Sequence, residues 1–173
     1  TDPLFQTDAV WRFYNPWVRT THNFNSHNLK VGEISLLFNF AMTARKAVQA
    51  GHSAVMILES DVLFAEGFLE KLGQAMAALP PQWDFLSLSA SVDLVPHRTS
   101  ADQGRLWFPP INPYFHTRCT DSMIFRVSML EKIMGSFFPC AEALDWELNY
   151  QLTRHGAKSW WLDPPILRQG SGK

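Results

Sequence analysis

The chain has 173 residues, 46% of them hydrophobic, enough for one domain with a substantial core and too few to argue for two. Its formal charge of −1 comes from interspersed acids and bases, so no basic stripe is available for nucleic acid or an anionic membrane surface, and a neutral or small-molecule substrate fits better. No apolar run reaches the about 20 residues that span a bilayer, and the amino terminus lacks a basic segment followed by an apolar one, so the chain reads as soluble.

Residues 1–28 mix polar and aromatic types around Pro3, Pro16 and the run THNFNSHN, with neither helical nor strand period, and are expected to be loop with at most short elements. GEISLLFNFAMTARKAVQAG, residues 32–51, then places Ile34, Leu37, Phe38, Ala41, Arg45 and Val48 at near-helical spacing and closes on Gly51, a fitting helix C-cap. Residues 53–58 form a continuous apolar run, the pattern of a strand buried on both faces, and a central position is expected for it. A second helix carries Phe68, Leu72, Met76 and Leu79 on one stripe before Pro80 and Pro81 stop it. WDFLSLSA follows as a strand. This alternation of helix and strand predicts an α/β domain with a mostly parallel central sheet.

Residues 93–118 differ, because Pro96, Pro109, Pro110 and Pro113 interrupt them. A structureless stretch of this length inside a compact domain is usually functional or mobile, and it carries His97, Arg98, Arg105, Trp107, Tyr114 and His116. Beyond it DSMIFRVS reads as a strand, residues 129–134 and 142–155 as helices, KSWWLD as a strand, and PPILRQGSGK as loop. Cys119 and Cys140 have no metal-ligand spacing and neither require nor exclude a disulfide, which leaves the compartment undetermined.

The residues that carry chemistry begin with Glu59 and Asp61, at the end of the apolar strand with Ser60 between them. Carboxylates at the carboxyl end of a strand in an open α/β sheet lie at the usual ligand crevice, where they can hold a divalent cation or orient a polar substrate. Two acids simply solvated at a strand end are the plainer alternative. Glu33, in the first helical turn, has a dipole role available, as does His155 at a helix end. His97 and His116 are candidates for ligating metal or positioning a hydroxyl, and Trp107 and Tyr114 for stacking on a sugar or for pinning the loop to the core.

Several blocks then form an ordered set: GEISLLFNFAMTARKAVQAGHSAVMILESDVLFAEGFLEKL, WDFLSLS, CTDSMIFRVSMLEKIM, LDWELNYQL and DPPILRQGS. In this order, over residues 30–171, they resemble the blocks of glycosyltransferase family 25, the lipooligosaccharide and collagen galactosyltransferases. The resemblance implies a GT-A-like α/β/α sandwich, Rossmann-like, that moves a hexose such as galactose from a nucleotide-sugar donor to a glycan, lipid-linked or protein-linked acceptor. In that family the strand ends in Leu-Glu-Asp-Asp, an acidic motif that holds Mn²⁺ and the donor diphosphate; Mg²⁺ would suit the same oxygen ligands. Here Ser60 replaces the middle acid, and Asn39 and Phe40 stand where the family often has Ser-His. Nothing before Gly32 resembles the family's opening nucleotide-binding strand and loop. The chain is therefore expected to be a single domain, 1–173, that is either an excerpt of a longer protein or grips its nucleotide differently.

From the resemblance, Asp61 is the nearer metal ligand, and Glu59 supports the ribose or the metal through water. Gln169 matches a glutamine of the last block and would reach a phosphate or sugar hydroxyl. An inverting transferase also needs a general base. PCAEALDWELN offers Glu142, Asp145 and Glu147; Asp145 matches an aspartate of the late block and Glu142 is the alternate. Helical spacing puts these two on one face and turns Glu147 toward solvent. Two other classes stay open: a catalytically silent GT-A-like binding domain, and a metal-dependent phosphoesterase.

Overall fold

A computed structural model describes residues 29–90, 94–140 and 142–170; the expectation for residues 1–28 lies outside them. Helix α1, Val31–Gln49, opens with the Lys30 N–H donating to the Glu33 carboxylate at 2.7 Å. It ends at Gly51, whose φ of 72° is a conformation that costs glycine nothing. The buried stripe is Ile34, Leu37, Phe40, Ala41, Ala44 and Ala47. That is a slight rotation from the expected stripe: Arg45 is exposed, and Phe38 and Val48 sit only at the edge of the core. Alanines let the helix lie close to its neighbours, and a stripe scored on large side chains misses them.

Strand β1, Ala54–Leu58, turns into β2, Val62–Phe64, and helix α2, Phe68–Ala77, follows. Next come β3, Phe85–Ser87, a short 3₁₀ turn at Ser100–Asp102, β4, Trp107–Phe108, and β5, Ser122–Arg126. Helices α3, Val127–Ser136, and α4, Leu144–Arg154, precede β6, Ser159–Leu162, and β7, Leu167–Gln169.

The fold is mixed α/β. Five strands form one sheet in the order β1-β5-β3-β6-β4, and β2 pairs with β7 in a separate antiparallel ribbon. The mostly parallel expectation is corrected, because β3–β6 is the one parallel pair of strands in the described five-stranded sheet. Strands β1, β3 and β6 do run the same way, as helix-strand alternation predicts. However, β5 inserts between β1 and β3 in the opposite direction, and β4 closes the far edge antiparallel to β6.

The central place expected for β1 is corrected too, since it forms one edge of the described sheet. Its apolar run reported something real: Val55 and Ile57 pack against one core cluster, Ala54 and Met56 against the other. Coverage of both faces is written in side-chain alternation; lateral position in the sheet is not. The first cluster joins the sheet to α1, α3 and α4, and the second joins it to α2. Helices thus cover both faces.

At the centre of the first cluster Phe125 is wholly buried, with its ring 5.0 Å from Phe85 and 6.0 Å from Phe40. Phe125→Ala should cost about 3–5 kcal/mol, the usual range for emptying such a site. Urea unfolding measures it, and a loss below about 1 kcal/mol would show that the surrounding rings collapse into the space.

Candidate functional site

Strand directions place the carboxyl ends of β1, β3 and β6 and the amino ends of β5 and β4 along one rim. Glu59 and Asp61 lie on that rim in a tight turn between β1 and β2, with the Val62 N–H donating to the Glu59 carbonyl at 3.4 Å. They are not successive outward positions of one strand, yet both line the same cleft of about 470 Å³. Asn39, Phe40 and Thr43 of α1 line it too, as do Thr120 and Leu144.

Glu59 is held from the two residues that precede β5. Its N–H donates to the Asp121 carbonyl at 2.8 Å, and its carboxylate accepts from the Thr120 hydroxyl at 2.6 Å. Asp61 is reached from the chain's other end: the β2–β7 ribbon pairs Val62 with Gln169, and the Gly170 N–H donates to the Asp61 carbonyl at 2.7 Å. Gln169 is therefore brought next to the acidic turn, although it does not line the cleft.

Asp145 begins α4, next to the cleft residue Leu144. Burial raises its pKa above the ordinary aspartate value, two backbone N–H groups oppose that shift, and the negative charge of Glu33 adds to it. Glu33 thus does more than start its helix, because it places a second acid near Asp145.

Its two companions differ from expectation. Glu142 precedes the N-cap residue Ala143, so it lies off the helix, shares no helical face with Asp145, and is buried. Glu147 is wholly buried instead of solvent-facing, and accepts from the Gln151 amide at 2.9 Å. Gln151 in turn bonds Ser136 at the end of α3, so a polar face of α4 is covered by a neighbouring helix. Spacing along one helix carries no information about that cover. His155 also bonds Ser136, and burial together with the charges of Arg154 and Lys132 lowers its pKa. A protonated partner for the helix dipole is thereby disfavoured.

His116 is a further correction. It packs against Ser159, the first residue of β6, at the end of the sheet opposite the acidic rim. Its ring bonds the hydroxyls of Ser159 at 2.6 Å and Thr153 at 3.1 Å, and burial lowers its pKa from 6.5 to about 4. Because the unfolded chain binds this proton more readily, stability is held above pH 6.5 and lost as pH falls through about 4. Urea unfolding should show a slope of at most about 1.4 kcal/mol per pH unit from this group in that window, and His116→Gln should flatten it. Equal slopes in the two proteins would assign the effect elsewhere.

Trp107 is a core residue, its indole N–H donating to the Ala75 carbonyl at 2.7 Å, while Tyr114 and His97 are exposed.

Sequence reasoning missed Thr120, Asp121 and Arg118. Asp121 is wholly buried, with one oxygen accepting from Ser89 and Ser122 and the other without a hydrogen-bond partner. Arg118 lies over the Trp161 ring and donates to the Leu162 carbonyl at 2.6 Å; burial lowers its pKa to about 10 against the pull of Asp163 and Asp121. The only local signal was a Thr-Asp-Ser run opening an apolar strand.

Among the described residues no three His, Cys, Asp or Glu side chains converge as a ready-made metal cage. Two carboxylates in an open cleft match a different arrangement, in which Mg²⁺ or a similar hard cation keeps waters and completes its shell with substrate phosphate. Glu59 and Asp61 fit that arrangement. No helix among the described residues is long and apolar enough to cross a membrane. Neither the models of known families nor the curated proteins contain a match to this chain.

Proposed function

We propose that this chain is a glycosyltransferase domain of GT-A type that transfers a hexose from a nucleotide sugar to a hydroxyl of a glycan or of a lipid- or protein-linked acceptor. The observation that carries this reading is the cleft itself. Its lining includes two acids, Glu59 and Asp61, together with Leu144, the chain neighbour of the pKa-raised Asp145.

In the proposed reaction Asp145 takes the acceptor proton, the acceptor oxygen bonds to the anomeric carbon, and the bond from that carbon to the donor phosphate breaks on the opposite face. The nucleoside diphosphate leaves with the bonding electrons. Asp61 and Glu59 would hold Mn²⁺ or Mg²⁺, which neutralises charge on that leaving group when bound. A raised pKa suits the base, since a more basic carboxylate takes a proton more readily. Glu142, off the helix and buried, is the weaker candidate.

A catalytically silent GT-A-like binding domain is the second reading, favoured by Ser60 in the acidic turn. A panel of nucleotide sugars with Mn²⁺ separates the two. Sugar-dependent thermal stabilisation with slow donor hydrolysis supports the transferase; stabilisation without hydrolysis or transfer supports the silent domain. Phosphate release from simple monoesters would point to a phosphoesterase, and no response to any nucleotide sugar would remove the donor site.

A further inference from the structure

We infer that Thr120 and Gly170 are positioning residues that clamp the acidic turn from its two sides, and that the aim of the Glu59 and Asp61 carboxylates depends on both. The inference rests on the reading of those acids as a divalent-cation site, and adds residues whose roles are not legible from the turn.

Ser60 at the tip of the turn is exposed, and the backbone bond across it, Val62 N–H to the Glu59 carbonyl, is long at 3.4 Å. On one side the buried Thr120 hydroxyl donates to one oxygen of Glu59 at 2.6 Å, while the next peptide, Asp121, accepts the Glu59 N–H at 2.8 Å. A donor on one carboxylate oxygen fixes the rotamer and leaves the second oxygen for a ligand. Groups that orient metal ligands in this way are worth about 10–100-fold in affinity.

On the other side the Gly170 N–H meets the Asp61 carbonyl at 2.7 Å. A Cβ at Gly170 would stand 2.6 Å from that same oxygen and 3.3 Å from the Leu63 side chain. Since the closer contact is to backbone, a side chain at position 170 cannot be absorbed by a rotamer change, and the bond between residue 170 and the turn must be displaced. Glycine is required here by close approach and not by backbone angle.

The test compares wild type with Thr120→Val, Thr120→Ser and Gly170→Ala. Thr120→Val keeps the shape and removes the hydroxyl; Thr120→Ser restores it. Amide hydrogen exchange at residues 59–62, without metal, reads the clamp directly, and Mn²⁺ titration followed by electron paramagnetic resonance reads its consequence. The expected result is exchange at least about tenfold faster in Thr120→Val and Gly170→Ala, Mn²⁺ affinity about 10–100-fold weaker in both, and near wild-type values in Thr120→Ser. Far-UV circular dichroism should match wild type throughout. Unchanged exchange in both Thr120→Val and Gly170→Ala would overturn the clamp, whatever Mn²⁺ does. Faster exchange in a protein whose wild type binds no Mn²⁺ would leave the clamp standing and remove the metal reading. Wild-type Mn²⁺ affinity in Thr120→Val despite faster exchange would overturn its role in aiming Glu59.

Discussion

On the proposed mechanism, Asp145→Asn should lower turnover by about 10²-fold or more while donor binding stays near wild type, because the amide keeps the shape of the side chain and cannot take the acceptor proton. The pH profile sharpens this expectation. A base works ionised, so wild-type turnover should fall as pH drops through the Asp145 pKa, which burial and Glu33 place above the ordinary 3.8. That limb should be absent from the residual activity of the variant. Stability should move the other way. A carboxyl whose folded pKa is raised stabilises the fold below its unfolded pKa and loses that contribution as pH rises through the folded value. At pH 7 the ionised, desolvated carboxylate is therefore a cost that Asn removes. Asp145→Asn should unfold at a higher temperature than wild type at pH 7, and the gain should vanish below about pH 3.8. A variant that transfers sugar at the wild-type rate would clear Asp145 and pass the role to Glu142; a variant less stable at pH 7 would show that the carboxylate is held by partners and not merely desolvated.

Asp61→Asn should all but remove the proposed metal-dependent donor binding. Loss of one of two carboxylates should weaken it by about 10²-fold or more, since cation neutralisation of a phosphoryl oxygen is worth several kcal/mol and each 1.4 kcal/mol is tenfold. The fold should survive, because the backbone carbonyl bond from Asp61 to Gly170 is left in place by the substitution. Calorimetric titration with a nucleotide sugar, with and without Mn²⁺ or EDTA, measures it. Equal donor affinity in wild type, in the variant and in EDTA would mean that the turn holds no cation.

Much of the architecture was legible because it is written in local periodicity. The stripe of α1, the two-faced apolar run of β1 and the Pro-Pro stop after α2 all report on residues a few positions apart, where backbone geometry fixes which side chains share a face. The acids Glu59 and Asp61 were legible for the same reason, as the point where an apolar run ends. The common direction of β1, β3 and β6 also followed from the alternation of helix and strand.

The neighbours of those elements were not legible. Whether β5 lies beside β1 or beyond it depends on which sheet edge is open when the chain returns, and no local pattern encodes that choice. The insertion of β5 sets Thr120 and Asp121 beside Glu59 from about 60 residues away in the chain, and the β2–β7 ribbon brings Gly170 to Asp61 from more than 100 away. Burial was equally hidden for polar side chains. His116 and Glu147 look like exposed candidates along the chain, yet one sits at the far end of the sheet between two hydroxyls and the other lies beneath a neighbouring helix. The sequence by itself determined the helices, the strand with both faces covered and the acidic turn, since each depends on contacts a few residues apart. Only the tertiary structure decided what holds that turn, because those contacts join segments whose meeting depends on sheet order and strand direction.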